Sequence, residues 1–414
     1  MKNIILLILQ LFLFSALLKA QDTTQHVIEG RQNLANQVKK PYVILISADG
    51  FRADFFDLYQ ANFLKAKKSQ GMSAPYMIPS YPSLTFPNHY SIVTGLYPAH
   101  HGLVNNRYFD VSSSTEYSMG NKKLVGEGKW YGGTPLWVLA EQQGMLAASY
   151  FWVASEADIQ GVRPTYFYVY NEVTEINQRI QAVKDWLSLP EEKRPHLITF
   201  YFPQVDHDAH QFGPNDVRVK ESVQFVDQSI QKLEEALKPL NLPINYVFVS
   251  DHGMKEVDNV NTIGLPKEID LDAFKVPFGD ALLQVYAKDK SKIQSTYESL
   301  KKNSDFDTYL ISETPKRWHF SASDDRYNRL GDILLVPKLP RVFNLGKNQT
   351  SLGKHGFDNY LPEMRASFLA WGPAFKAGKK VEAFENIHVF PLIAQILGLS
   401  YDPKSIDGNA KVFK

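Results

Sequence analysis

Cysteine is missing from all 414 residues. Its absence excludes disulfides, thiolate metal ligands and a lipid-modified cysteine at a cleavage site. Histidine and carboxylates are left as the side chains able to hold a metal. An excess of one charge is also missing: 45 Lys and Arg stand against 44 Asp and Glu, a formal charge of +1. That balance leaves no basic face on which to argue for nucleic-acid binding. No low-complexity segment and no internal repeat is present, which excludes solenoids and disordered arrays. After residue 20, no apolar run approaches the roughly 20 residues that cross a bilayer.

Residues 1–20 differ from the rest. Lys2 precedes a largely apolar run from Ile4 to Leu18, followed by Lys19-Ala20 and the polar Gln21-Asp22-Thr23-Thr24. The run is short for a membrane span and has the form of a secretory signal peptide cut near Gln21, with an uncleaved anchor as the alternative. Its removal takes away Lys2 and Lys19, so the formal charge goes from +1 to −1. Export without cysteine points to a bacterial periplasm or an extracellular setting. There the sequon Asn348-Gln349-Thr350 is a chance match.

The composition is otherwise that of a globular chain, 44% apolar and 21% charged. Residues 21–40 are polar and predict a flexible lead-in; residues 41–414 predict a single domain with an inserted region over about 254–345. Tyr42–Ser47, Leu197–Phe202 and Tyr246–Ser250 are continuous β-rich apolar runs, the pattern of strands buried on both faces. Helical spacing is expected over 57–69, 135–143 (capped by Thr134), 172–187, 216–237 and 387–397. Strands alternating with helices predict an α/β fold whose mostly parallel sheet is covered on both faces.

Each of the three buried runs leads into an acidic residue: Asp49, Asp206 and Asp251. Open α/β sheets place their sites at that carboxyl edge. His252 adjoins Asp251, and His210 follows Asp206 by one helical turn, so the two share a face. His355 lies in a loop between glycines. The stretch Ser80–Asn106 supplies a hydroxyl: Thr85 precedes Pro87, which suits a helix first turn, and Gly95 stops that helix. A threonine at a helix N-terminus faces free N–H groups that favour an anion, and its weak nucleophilicity calls for a metal or base beside it. Together the carboxylates, imidazoles and hydroxyl suffice for two zinc ions, spaced about 4 Å in enzymes of phosphoryl transfer. Affinity order leaves iron and manganese open as well. His89, His100, His101 and His207 are assigned structural roles.

The motifs Ala48–Arg52, Thr85–Tyr90, His101–Asn106, Asp206–His210, Asp251–Gly253 and Lys354–Asn359, in this order, resemble those of the nucleotide pyrophosphatase/phosphodiesterases of the alkaline phosphatase superfamily. The resemblance runs from about Tyr42 to Pro373. It implies an alkaline-phosphatase-like α/β/α sandwich with inserted excursions. It also implies two zinc ions, one held by Asp49, Thr85, Asp251 and His252 and the other by Asp206, His210 and His355. Thr85 is the implied nucleophile, forming a phospho-threonine, and Asn106 the implied N–H donor to a phosphoryl oxygen. Phe86 and Tyr170 match the aromatic pair that clamps a nucleobase, although Tyr166–Tyr170 also reads as an ordinary aromatic strand. Two departures stand out. Trp152-Val153-Ala154-Ser155-Glu156 replaces Trp-Pro-Gly-Ser-Asp of the animal members, and Gly132 stands where they have a base-contacting lysine. The expected substrate is a small nucleotide or phosphodiester.

Three rivals are weighed against it. A phosphomonoesterase of the same superfamily adds a lysine and an arginine that grip a phosphate dianion, and Ser149–Gly161 contains neither. A phospholipid head-group diesterase is the second. A metal-stabilised binding protein is the third, and it requires loss of the nucleophile that Thr85 supplies.

Overall fold

A computed structural model describes residues 21–413; the signal peptide expected at residues 1–20 lies outside the described residues. A nine-stranded sheet runs through the molecule in the order Gln25–Val27, Tyr166–Tyr168, Ala147–Tyr150, Leu197–Phe202, Tyr42–Ala48, Ile244–Val249, Phe368–Trp371, Met72–Ser73, Lys379–Lys380. Its centre is parallel, from Tyr166–Tyr168 across to Ile244–Val249. Gln25–Val27 and Phe368–Trp371 pair antiparallel to their inner neighbours.

Tyr42–Ala48 shows why the apolar runs are continuous. Val43 and Leu45 pack into one apolar cluster, whereas Ile44 and Ile46 pack into another on the opposite face. Successive side chains of a strand point to opposite faces, so a sheet covered twice needs apolar residues at every position. Helices Ile176–Ser188 and Val217–Leu237 cover one face through Ile180, Val183, Val223 and Ile230. Helices Thr85–Thr94, Leu136–Gln142 and Val389–Leu397 cover the other through Tyr90, Trp137 and Ile393. Among the described residues, no helix is long and apolar enough to cross a membrane.

Three expectations change. The helix over 57–69 is two helices, Phe55–Leu58 and Asn62–Gln70, separated at Gln60 with φ 57°. The second starts where the buried Asp227 carboxylate accepts the Phe63 and Leu64 N–H groups at 3.0 and 2.8 Å. Thr134 does not cap the helix at Leu136; Pro135 holds the cap position, and the Thr134 hydroxyl accepts from Gln160 instead. Residues 21–40, expected to be flexible, include a strand paired to Tyr166–Tyr168 and the buried Asn33, whose amide donates to the Glu191 and Arg194 carbonyls. The inserted region carries a separate four-stranded sheet, Phe274–Lys275, Leu283–Ala287, Ile333–Pro337 and Phe306–Leu310, with an apolar cluster of its own.

Candidate active site

The three central strands deliver their acids to one edge. Asp49 follows Ala48 directly, Asp251 lies two residues past Val249, and Asp206 sits in the helix Gln204–Phe212 that follows Phe202. Gly50 makes the convergence possible. Its φ is +65°, its N–H donates to Asp251 Oδ1 at 3.2 Å, and a Cβ there would stand 3.0 Å from the Asp206 backbone. Asp49 and Asp251 are buried.

Three overlapping groups of ligating atoms result: Asp206, His210 and His355; Asp49, Asp206 and His252; and Asp49, His89 and Asp251. The imidazoles are fixed in one tautomer. His210 Nδ1–H donates to the Gly353 carbonyl at 2.7 Å, His355 Nδ1–H to Ser83 at 2.9 Å, and His252 Nδ1–H to Gly253 at 2.8 Å. Each therefore turns its Nε2 inward, as metal-ligating histidines do. His210 and His355 face each other Nε2 to Nε2 at 3.1 Å, while His252 Nε2 lies 2.9 Å from Asp251 Oδ2 and 3.4 Å from Asp49 Oδ1. His252 and His355 stack at 3.6 Å, joining the groups.

The donor set fits cations. Asp49 Oδ1, Asp206 Oδ1 and Asp251 Oδ2 are buried without a hydrogen-bond donor among the described residues. Buried carboxylate oxygens are costly unless paired or on a metal. The electrostatics agree. Burial, then the neighbouring Asp251 and Asp206 charges, push the Asp49 carboxyl well above the usual range. Burial also presses on Asp251, but His252 and His89 outweigh it and hold that carboxyl well below. Burial, then His252 and His210, hold the His355 imidazole well below its ordinary value. Mixed carboxylate and imidazole donors suit zinc and other divalent transition metals.

Thr85 begins the helix Thr85–Thr94, which ends at Gly95 with φ 68°. Its hydroxyl lies 3.1 Å from His252 Nε2. Asn106 stands beside it: Asn106 Oδ1 accepts the Phe86 N–H at 3.0 Å, so the amide NH2 is turned toward the cleft. The cleft has a volume of about 780 Å3, and Thr85, Phe86, Asn106 and Tyr170 all line it. Phe86 and Tyr170 are half-buried there. Tyr166–Tyr168 is indeed a strand, and Tyr170 stands two residues beyond its end, edge-on to Phe151 at 5.4 Å.

Some partners have no motif of their own. The Tyr201 hydroxyl donates to Asp49 Oδ2 at 2.6 Å. His89 is buried, its Nδ1 3.2 Å from Asp251 and 3.0 Å from the Thr85 carbonyl, its Nε2 2.8 Å from the Ser47 hydroxyl; both nitrogens are engaged, as a structural role requires. His101 is likewise committed to the Ser91 hydroxyl and the Leu103 N–H, and His100 lies between Asp407 and Asp324. His207 is exposed at the cleft, 3.9 Å from Glu172. Gly132 is not on the cleft: a Cβ there would collide with the Tyr327 hydroxyl at 1.9 Å, so it says nothing of a base contact. The lysines that do line the cleft are Lys122 and Lys354.

A parallel-centred sheet with paired carboxylate–imidazole groups at its carboxyl edge, beside a helix-initiating threonine, defines an α/β protein of the alkaline phosphatase superfamily. Residues 43–358 match the family model "Type I phosphodiesterase / nucleotide pyrophosphatase", and the chain belongs to this family. It is 36% identical over 383 residues to ectonucleotide pyrophosphatase/phosphodiesterase family member 1 of Mus musculus, covering 89% of this chain and 42% of that protein. The chain thus spans less than half the length of that relative. An uncharacterised pyrophosphatase/phosphodiesterase of Schizosaccharomyces pombe is 33% identical over 423 residues, covering 97% of this chain and 85% of the relative. Among solved structures, murine ectonucleotide pyrophosphatase / phosphodiesterase 5 superposes with a TM-score of 0.82 at 26% identity, covering 89% of this chain and 98% of that one. An inactive threonine-to-alanine form of the same murine protein, in complex with AMP, superposes equally well.

Proposed function

We propose that this protein is an exported two-zinc hydrolase of nucleotide-type phosphodiester or pyrophosphate bonds, acting through a covalent phospho-threonine at Thr85. The observation that carries the proposal is the Thr85 hydroxyl set 3.1 Å from His252 Nε2, beside buried Asp49 and Asp206 oxygens that accept no hydrogen bond among the described residues. Bound at Asp49, Thr85, Asp251 and His252 and at Asp206, His210 and His355, a metal pair would acidify the hydroxyl and stabilise the entering and leaving oxygens. Thr85 Oγ1 forms the new bond to phosphorus as the bond to the leaving oxygen breaks on the opposite side. Water then cleaves the phospho-threonine and restores the hydroxyl. Asn106, its carbonyl committed to Phe86, offers its N–H to a phosphoryl oxygen. Phe86 and Tyr170 hold the retained nucleoside. Support from relatives is specific: the inactive form that binds AMP is a threonine-to-alanine change. Export rests on the leader-like residues 1–20 and on the "ecto" in relatives' names. A bacterial, periplasmic setting rests on the lack of cysteine alone.

The test compares kcat/KM for a nucleoside 5′-phosphate aryl ester, a simple aryl diester, an aryl monoester and a choline phosphodiester, in wild type and Tyr170→Ala. Base–aromatic stacking is worth about 1–3 kcal/mol, so the nucleoside ester should lead the simple diester by about tenfold to hundredfold. Tyr170→Ala should remove most of that lead. A fastest monoester makes the protein a phosphatase; a fastest choline ester makes it a head-group diesterase.

A further inference from the structure

We propose that Lys354, with Arg107 beyond it, forms a leaving-group subsite that selects diesters whose departing group carries negative charge of its own. The inference rests on the phosphodiesterase reading and names its substrate class. In-line displacement sends the leaving group away from Thr85. Thr85 stands on the Asp49–Asp251–His252 side, so the departing group falls toward Asp206, His210 and His355. The strand Gly353–Lys354 lies there: the Gly353 carbonyl takes the His210 Nδ1–H at 2.7 Å, and His355 follows in the chain.

Lys354 is a lysine in an unusual place. Its side chain is only 11% exposed, it lines the cleft, and its ammonium lies 2.6 Å from Asp280 Oδ2. Asp280 Oδ1 already accepts the Ala281 N–H at 2.8 Å, which fixes the carboxylate. An ammonium has three N–H donors. Asp280 pairs with it as a counter-charge, and no hydrogen-bond partner of the Lys354 ammonium is present among the described residues. The ammonium's donors are left to a ligand in the cleft. Phe278, Asp280 and Arg107 line the same cleft; the Arg107 guanidinium stands 5.9 Å from the Phe278 ring centroid. The nearest acid to Arg107 is Glu116 at 3.9 Å, and Glu116 is held more closely by Lys275 at 3.1 Å. A departing pyrophosphate or nucleotide meets an inner and an outer cation; a departing neutral alcohol has no use for either. Hydrogen bonds to charged partners exceed neutral ones.

The test uses the metal-loaded protein and two substrates with the same nucleoside 5′-phosphoryl group, one leaving as pyrophosphate and one as an aryl alcohol. In Lys354→Met, the ratio of kcat/KM for the triphosphate to that for the aryl ester should fall about tenfold or more, and Lys354→Arg should restore part of it. Because Lys354→Met strands the Asp280 carboxylate, Lys354→Met/Asp280→Asn is measured beside it and should give the same fall. Arg107→Met should lower the ratio less. Inorganic pyrophosphate should bind Lys354→Met about tenfold more weakly. A ratio that stays at its wild-type value, in a folded variant, overturns the subsite and leaves the Lys354–Asp280 pair as a tie between two loops. Should wild type cleave neither substrate, the phosphodiesterase reading falls, and the pyrophosphate affinity alone decides the subsite.

Discussion

Thr85 and Tyr201 act at the scale of single atoms. Thr85→Ala removes the oxygen proposed to attack phosphorus and should abolish turnover, whereas Thr85→Ser keeps a hydroxyl and should retain part of it. Near-normal kcat in the alanine variant would make water the nucleophile. Tyr201 is a subtler case. Its hydroxyl donates to Asp49 Oδ2 at 2.6 Å and leaves Oδ1 bare, which orients the carboxylate toward His252. Tyr201→Phe keeps the ring packing and deletes only that donor. Groups that orient a metal ligand are worth about tenfold to hundredfold in metal affinity. The expected outcome is a fall of that size in a chelator competition, with little change in the melting temperature of the stripped protein. Unchanged affinity would show that the Asp49 geometry is set by the strand alone. The seven proposed ligands were legible in the sequence because each sits in or just past a recognisable motif. Tyr201 was not, because an inward-facing tyrosine in Leu197–Phe202 is indistinguishable by pattern from its aromatic neighbours.

At the scale of elements, the turn after the short helix Pro98–His101 depends on a neutral histidine. His101 is fully buried, its Nε2 lies 3.0 Å from the Ser91 hydroxyl, and its Nδ1 accepts the Leu103 N–H at 3.1 Å. A protonated ring has no lone pair for Leu103. Burial pushes its pKa down to about 3 from an ordinary 6.5. The sign follows: the unfolded chain takes up the proton near pH 6.5 and the folded chain does not, so stability is full above that pH and falls as pH drops toward about 3. His101→Gln should make the decline of melting temperature between pH 6.5 and 4 shallower than in wild type; an equal slope would contradict the assignment. Legibility at this scale follows the range of the forces. The central strands and the Gly95 stop are local patterns, and they appear as expected. The break near Gln60 is not local: no glycine or proline marks it, and Asp227, 164 positions from Phe63, starts the second helix. Gly132 misled because its surroundings are set by Tyr327, far along the chain.

For the whole molecule, the site works against the fold until cations arrive. Three strands that bury their faces completely bring Asp49, Asp206 and Asp251 together, and one oxygen of each is left buried without a donor. The sheet's apolar packing sustains this arrangement, so the stored repulsion is a cost borne by the entire fold. A ligand that binds only the folded state returns stability by mass action, about 4 kcal/mol at a thousandfold excess over Kd. For a protein of this size that is on the order of 5–10 °C in melting temperature. Stripping with a chelator should therefore lower the melting temperature by about that amount, and zinc should restore it. Asp49→Asn sharpens the argument because its two effects have opposite signs. The variant keeps an acceptor for Tyr201 but carries no charge, so it relieves the repulsion from Asp251 and Asp206. The stripped variant should melt higher than stripped wild type, while gaining less from zinc and turning over substrate far more slowly. A stripped variant that melts lower than stripped wild type would mean that Asp49 is held by hydrogen bonds alone and that the convergence of carboxylates costs the fold nothing.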